Sequence, residues 1–455
     1  MTQEHNLNLL GKTNIQKAFL TLVLPTIISQ LIAVVYSMSD SFWLGQLNDP
    51  AQFAAAFICV PTFLFLAGIS NIFGIGGASL IARCLGRRNF KKARATCAFC
   101  LWTTITASII YALIIYFFRH PLLHFIGATN ETYVFSEKYA LWTAVIGAIP
   151  AALNGLLGHL IRADGYAKQA SFGMILGLVL NIILDPIFIF IFHLEIVGAA
   201  MATVLSMCIG CSYFIHFIID HAKAGILTLN PRYYQAKNHI ATEVLWVGLP
   251  STLMSLMALA SSVVLNVLTA NYSTTAIAGM GVAKRIDLII FAITNGIGQG
   301  ALPLVSYNYA SKNFQRMKAA IKTTFIYTFI LSIITTLYLF FGAHWITNLF
   351  IQDAETVAYG SHFLKIICLT CPFFALTLIV MTIFQAIGQK TQPIILSLLR
   401  KGGVDIPLMC IFNKSFGVMG VAWAFPVEDI VSATLACLLF IPLWKKWRRQ
   451  NIHLA

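Results

Sequence analysis

The sequence at residues 70–93 reads SNIFGIGGASLIARCLGRRNFKKA, and the sequence at residues 294–317 reads TNGIGQGALPLVSYNYASKNFQRM. With these two stretches aligned, identical residues coincide: Asn71 with Asn295, Gly76 with Gly300, Asn89 with Asn313 and Phe90 with Phe314. Two further features recur at a similar spacing: Pro25 as Pro250, and ADGYAKQ (163–169) as AIGQKTQ (386–392). The sequence therefore predicts two halves that fold in the same way.

The composition indicates a membrane protein. Of the 455 residues, 58% are hydrophobic and only 10% are charged, and the mean hydropathy is +0.81. Soluble domains contain about 25% charged residues, so a soluble enzyme, a disordered chain and a disulfide-rich secreted domain are excluded. We attribute the net charge of +14 to basic cytoplasmic loops rather than to nucleic-acid binding, because multispan proteins concentrate Lys and Arg there.

A transmembrane helix needs about 20 mainly apolar residues. Apolar runs of this length are separated by short polar breaks, and they occupy residues 18–44, 53–82, 95–118, 134–161, 169–192, 196–219, 241–270, 276–308, 319–345, 359–387, 392–412 and 417–443. We therefore predict an all-α membrane protein with twelve transmembrane helices. They form two six-helix bundles related by a parallel pseudo-two-fold repeat, which is an architecture of alternating-access transporters.

The charges of the loops predict the orientation. The breaks after even-numbered spans are basic, and the one after the second span contains Arg83, Arg87, Arg88, Lys91, Lys92 and Arg94. Odd-numbered breaks such as 45–52 and 271–275 contain no Lys or Arg. We therefore predict a multi-pass protein of the cytoplasmic (inner) membrane with both termini cytoplasmic. The longest polar stretch gives an N-lobe (1–220), a cytoplasmic linker (221–240) and a C-lobe (241–455).

Polar side chains are concentrated at one depth of the first bundle. Ionisable groups inside a span cost about 2.5–3.5 kcal/mol on insertion scales and are usually functional. Asp40 follows Tyr36 by one helical turn in the first span, and Asp185 follows Asn181 by one turn in the fifth. Tyr139 lies near the start of the fourth span and Thr203 near the start of the sixth. The direction of each span therefore places five polar residues in the outer half of the N-lobe: Asp40, Tyr139, Asn181, Asp185 and Thr203.

Two carboxylates, an amide and a hydroxyl group fit either of two tasks. Oxygen ligands bind hard cations such as Na⁺, and the ligands would then be Asp40, Asn181, Asp185 and Thr203. Alternatively, two close carboxylates in a low-dielectric site share a proton, since both cannot ionise without a large penalty. A purely structural role for Asp40 and Asp185, as caps or as a hydrogen-bonded pair, is the third interpretation.

The second half does not repeat this set, because Leu265 occupies the position that matches Asp40. Its embedded charges are Lys284, Arg285 and Asp287 in the eighth span, Arg400, Lys401 and Asp405 in the eleventh, and Glu428 and Asp429 in the twelfth. An internal ion pair and a cluster that extends to the membrane surface both explain such charges. Arg400, Asp405 and Asp429 are therefore possible contributors to a functional site from the C-lobe.

With these residues in view, the chain resembles the multidrug and toxic compound extrusion (MATE) family, in its prokaryotic DinF-like or MepA-like branch. The resemblance covers nearly the whole length. Its most specific matches are SMSDSFWLG around Asp40, GGASLIARCLGRRNFKKA after the second span, RADG at residues 162–165 and LNIILDPIFIF around Asp185.

The resemblance implies secondary-active export of organic cations, driven by inward movement of Na⁺ or H⁺. In DinF-like members the N-lobe site is built from residues that match Asp40, Tyr139, Asn181, Asp185 and Thr203, and all five identities are present. A C-lobe cation site around a glutamate of the seventh span, known in another branch, is not matched. Glu243 lies too close to the cytoplasmic end to take that place.

We therefore expect a cation-coupled antiporter that exports lipophilic organic cations by alternating access. A flippase for a lipid or a lipid-linked sugar is the alternative, and its cavity should contain several cations that hold a pyrophosphate. No enzyme activity, no cofactor other than the coupling ion (H⁺ or Na⁺) and no nucleic-acid partner are expected. The predicted partners are small organic cations and membrane lipid, and the chain is predicted to be a monomer.

Overall fold

The computed structural model describes residues 3–47, 49–221, 225–236, 239–269, 272, 274–351 and 353–450. All regular secondary structure in these residues is helical. The first half contains α1 (Gln3–Gly11), α2 (Ile15–Gly45), α3 (Pro50–Ile58), α4 (Val60–Gly86), α5 (Phe90–Phe125), α6 (Tyr133–Ala140), α7 (Ala148–Ala163), α8 (Ala167–Pro186) and α9 (Glu195–His221). The second half contains α10 (Ile240–Thr269), α11 (Thr274–Ala310), α12 (Phe314–Phe350), α13 (Ala354–Cys368), α14 (Cys371–Ala386), α15 (Thr391–Leu398) and α16 (Ile406–Gln450). Short π-helical turns occupy Leu141–Ile146, Ile187–Ile191 and Leu399–Asp405, and Pro231–Tyr233 form a 3₁₀ turn.

The described helices are long and apolar enough for nine membrane spans, or for eleven when two bent helix pairs each count as one. The last stretch, Thr391–Trp447, has 57 residues and would be about 85 Å long as one helix, against a hydrocarbon core of about 30 Å. Its backbone leaves the helical conformation at Gly417, where φ is +63°. Arg400 also contacts Glu428 at 3.1 Å, so the stretch folds back on itself. Divided at Gly417, it contains the eleventh and twelfth predicted spans.

The two halves meet at helix crossings that the repeat relates to each other. Where α4 crosses α10, a Cβ atom on Gly76 would collide with the Val244 carbonyl oxygen. Where α2 crosses α11, a Cβ atom on Gly300 would lie 2.7 Å from Val23 Cα. Gly76 and Gly300 are the glycines that the sequence repeat aligns, so both are needed because two helix backbones approach closely there.

Both crossings lie in the half of the molecule that contains the basic turns. We call this region the basic end. It comprises the turns at residues 87–89, 311–313 and 387–390, which contain Lys or Arg, and the turn at 164–166, which Arg162 and Lys168 flank. The orientation predicted from the loop charges makes it the cytoplasmic end.

The predicted linker 221–240 packs on the N-terminal half where the structure describes it. Arg94 Nη2 donates to the Gly225 carbonyl oxygen at 2.9 Å, and Trp102 Nε1 donates to the Leu229 carbonyl oxygen at 3.2 Å. Ile226 is fully buried. This segment therefore runs along α5, while residues 222–224 and 237–238 of the predicted linker lie outside the described residues.

Candidate functional site

Two helices contribute a pair of polar side chains each to the predicted N-lobe site. Tyr36 and Asp40 are one turn apart on α2, and Asn181 and Asp185 are one turn apart on α8, so each pair shares a helix face. Pro186 ends α8 directly after Asp185, and a π-helical turn follows. Because Pro has no backbone N–H group, the regular ladder of hydrogen bonds is interrupted beside the carboxylate.

The α9 residue Thr203 joins the two pairs. Asn181 Nδ2 donates a hydrogen bond to Thr203 Oγ1 at 3.2 Å, and the Tyr36 hydroxyl group lies beside the same threonine. The face of α8 is thus connected to the face of α2 through one side chain of α9.

Asp40 and Asp185 lie close enough to interact electrostatically with each other. The phenol groups of Tyr36 and Tyr139 both lie within reach of these two carboxylates. The structure therefore brings together all six residues that the sequence singled out in this lobe. We call them the N-lobe oxygen site: Tyr36, Asp40, Tyr139, Asn181, Asp185 and Thr203.

The N-lobe oxygen site contains buried acceptors without donors. Asp185 is 0% exposed and Asn181 1%, whereas Asp40 is half-buried. Four buried oxygen atoms of this site lack a hydrogen-bond partner among the described residues: Asp40 Oδ1, Asn181 Oδ1, Asp185 Oδ1 and Asp185 Oδ2. A buried unsatisfied acceptor costs about 1–3 kcal/mol, and more when it is charged.

No described ion pair involves Asp40 or Asp185. Oxygen atoms without donors or basic partners are the chemistry that binds a proton or a hard cation. The residues present therefore fit either coupling ion.

The embedded charges of the second half form a connected network instead. Arg400 Nε donates to Glu428 Oε1 at 3.1 Å, and Arg400 Nη2 lies 3.5 Å from Asp429 Oδ1. Lys401 Nζ contacts Asp405 Oδ2 at 3.1 Å and Glu428 Oε2 at 3.3 Å. We call these five residues the C-lobe ion network. Of the two interpretations of these charges, the structure supports the internal ion pair rather than a cluster that extends to the membrane surface.

Hydroxyl groups and an aromatic ring complete this network. Ser261 donates to Asp405 Oδ2 at 2.7 Å, and Thr370 donates to Asp429 Oδ2 at 3.0 Å. The Arg400 guanidinium lies 4.3 Å from the centroid of the Phe374 ring. Arg400, Asp405 and Asp429, the possible C-lobe contributors, are thus bound within their own lobe.

A cavity of about 80 Å³ lies between the halves. Asn71 and Asn295, which the repeat aligns, both line it, together with Arg162 and Gln299. Arg162 Nη1 donates to Gln299 Oε1 at 2.9 Å across the two halves. The described lining contains no carboxylate. The sequence analysis did not identify these residues as cavity lining, and the only signal for them was the identity of Asn71 and Asn295 in the repeat.

Comparison with known proteins agrees with this architecture. The family model described as MatE matches the chain twice, at residues 25–187 and 250–411. The two matches cover corresponding parts of the two halves.

Among curated proteins, the chain is similar to the multidrug export protein MepA of Staphylococcus saprophyticus, with 29% identity over 428 residues and 94% of each chain covered. MepA of Staphylococcus aureus (strain MSSA476) is 28% identical over the same share of both chains.

Among solved structures, a MATE protein in complex with MaL6 matches with a TM-score of 0.92 and 22% identity. An outward-facing conformation of a multidrug resistance MATE family transporter of the MOP superfamily matches with a TM-score of 0.91 and 22% identity. Each match covers 98% of this chain and 99% of the other. At this identity the two structures establish the fold.

Proposed function

This chain belongs to the MatE family, and from that premise we propose that it exports small drug-like molecules through the membrane in exchange for H⁺ or Na⁺. Its curated relatives over 94% of the chain are multidrug export proteins. The proposed substrates are lipophilic organic cations, and the proposed coupling site is the N-lobe oxygen site.

One observation carries the coupling proposal. Asp185 is fully buried, neither of its carboxylate oxygens accepts a well-formed hydrogen bond among the described residues, and the Asn181 amide beside it already donates to Thr203. Asp40 lies within electrostatic reach. A positive partner is therefore required for a stable site. A proton on one Asp185 oxygen would supply the missing donor. Alternatively, Na⁺ would be bound by Asp40, Asn181, Asp185 and Thr203.

Coupling follows from competition between two positively charged ligands. Once an ion neutralises the N-lobe oxygen site, the lobe attracts an organic cation less strongly, and the drug is released. Asp40 is the half-buried carboxylate of the site, whereas Asp185 is fully buried, so Asp40 would be the first of the two to meet the ion. One elementary charge moving inward through about 100 mV releases about 2.3 kcal/mol, and the membrane potential contributes to export of a cation only when more positive charge enters than leaves in each cycle.

We also propose that the basic end faces the cytoplasm, so that both termini lie there. The support is the positive-inside rule together with the position of the basic turns at one end of the molecule. Alternating access then means that the lobes part in turn at the basic end and at the opposite end.

The flippase alternative has less support from the side chains. Its cavity would need several free cations for a pyrophosphate. Lys284, Arg400 and Lys401 are each bound to a carboxylate, and Arg162 is the one Lys or Arg side chain in the described lining of the cavity between the halves. We therefore do not propose it.

The test is reconstitution in liposomes with a fluorescent organic cation and an imposed gradient of either Na⁺ or H⁺. Dye transport driven by one gradient, and absent without any gradient, is the expected result and identifies the coupling ion. Equal dye movement with and without both gradients would contradict the coupling proposal.

A further inference from the structure

Glu243 joins the two lobes at the basic end. It lies in the first turn of α10, and each of its carboxylate oxygens contacts a basic residue of the N-terminal half. Arg83 Nη1 of α4 lies 3.2 Å from Oε2, and Lys92 Nζ of α5 lies 2.9 Å from Oε1. The Glu243 side chain is 26% exposed, so water and salt reach this contact.

A neutral layer of hydrogen bonds lies beside these ion pairs. Ser79 Oγ of α4 donates to the Gln385 carbonyl oxygen of α14 at 2.6 Å. Gln385 Nε2 in turn donates to the Val247 carbonyl oxygen at 3.1 Å and to Ser251 Oγ at 2.9 Å. This layer ties α4 to two helices of the other lobe.

The Arg83 side chain also fixes the turn after α14. Gly388 has φ +78°, and a Cβ atom there would collide with the Arg83 guanidinium. Only glycine satisfies both the backbone conformation and the close approach. Arg83 is thus held between Gly388 and Glu243, both of the C-terminal half.

The N-terminal helix α1 adds a third connection. The Leu10 carbonyl oxygen accepts hydrogen bonds from Asn308 Nδ2 and from Arg316 Nε, each at 3.0 Å. α1 leads directly into α2 of the N-terminal half, whereas Asn308 and Arg316 belong to α11 and α12. Polar contacts therefore join the lobes at the basic end, in addition to the glycine crossings and the buried apolar residues of both halves that pack together.

We propose that Glu243, held between Arg83 and Lys92, is an ionic latch that keeps the lobes together at the basic end and must release before they part there. Charged groups regain full hydration when such a contact opens, so a partly exposed ion pair can hold the lobes together and still break readily. This gives Glu243 a positioning role in the transport cycle instead of a cation-binding one. The inference rests on alternating access in the proposed function.

The test is hydrogen–deuterium exchange of the full chain in lipid nanodiscs, with Glu243→Gln compared with the native residue. We expect the ratio of basic-end-open to basic-end-closed molecules to rise about five- to tenfold, within the usual range for coupled conformational equilibria. Exchange should become faster in peptides covering 79–86 and 240–248. It should become slower at the opposite end, in peptides covering 36–45 and 259–269, because rocking closes that end.

Two controls separate a latch from general destabilisation. Lys92→Gln should reproduce part of the effect, whereas Lys91→Gln should not, because Lys91 is an exposed neighbour outside the described ion pairs. Raising the salt concentration should move the native chain towards the pattern of Glu243→Gln and leave that variant unchanged.

Faster exchange at both ends, or an equal effect of Lys91→Gln, would overturn the latch. The exchange experiment uses no substrate. Normal dye export in liposomes combined with an unchanged exchange pattern therefore refutes the latch alone, and absent export by the native chain refutes the proposed function.

Discussion

Asp185 in the first half and Asp405 in the second half are both carboxylates with 0% exposure in apolar helical segments. Neither oxygen of Asp185 has a hydrogen-bond partner among the described residues. Asp405 Oδ2, by contrast, accepts from Ser261 at 2.7 Å and contacts Lys401 at 3.1 Å. Burial alone therefore does not distinguish the two acids. The distinction is whether the protein itself supplies the positive partner.

The comparison indicates which of the two sites can bind and release an ion. A carboxylate that is neutralised within the fold has no need of an ion from outside. Protonation of Asp405 would leave Lys401, which is largely buried, with Glu428 as its remaining described carboxylate partner. A carboxylate with empty acceptor positions is stabilised by any small positive ligand. The N-lobe oxygen site is therefore the better candidate for a site that loads and unloads in every cycle.

The largest expected effect is on transport. Asp185→Asn and Asp40→Asn should each reduce dye efflux at least tenfold, because each variant removes the negative charge that the coupling ion neutralises. Efflux from cells and the amount of protein in the membrane are measured together. Asp220→Asn is the matched control, since the Asp220 side chain is 56% exposed. Efflux at the native rate in both N-lobe variants would show that transport does not depend on the Asp40 and Asp185 carboxylates.

A smaller effect is expected on the free energy of unfolding, which should fall when a carboxylate of the C-lobe ion network is neutralised and should not fall when Asp185 is neutralised. Glu428→Gln removes the carboxylate that bridges Arg400 and Lys401 and should lower the free energy of unfolding by about 3–5 kcal/mol. Asp185→Asn removes an uncompensated charge and should leave the stability unchanged or raise it. Thermal unfolding in detergent measures both, with Ser432→Ala as a milder control because Ser432 donates to Glu428 Oε1 at 3.2 Å. Equal losses in both lobes would show that the two sites are built alike.

The last expected effect is a pH dependence of stability, and it concerns a buried carboxylate at the basic end, outside the spans. Burial raises the pKa of Asp164 from 3.8 to about 8. Between these two values the folded chain holds a proton that the unfolded chain has lost, so stability should fall as the pH rises through this range. Asp164→Asn should flatten that slope in a series of unfolding curves from pH 5 to pH 8. An unchanged slope would mean that burial does not control this carboxylate.

The members of the N-lobe oxygen site were accessible to sequence analysis because the clues are local. Tyr36 with Asp40 and Asn181 with Asp185 are pairs one helical turn apart, and the direction of each span gives the depth. Membership of the MatE family and the all-helical, two-half architecture were predicted as well and are confirmed. The role of the site in coupling stays a prediction.

The C-lobe ion network could not be predicted to the same extent. Arg400 and Glu428 are 28 positions apart, and they meet only because the chain folds back at Gly417. Glu243 is a similar case, since its partners Arg83 and Lys92 lie on two helices of the other lobe. No spacing along the chain indicates such pairs.

The sequence by itself determined the apolar spans, the basic and neutral loops, the internal repeat and the residues that share a helix face. These are properties of one segment at a time, set by hydropathy and by the geometry of a single helix. Only the tertiary structure decided which buried acids are neutralised and where the lobes join. The reason is that an ion pair depends on the distance between two helices, and side-chain packing at the crossings sets that distance.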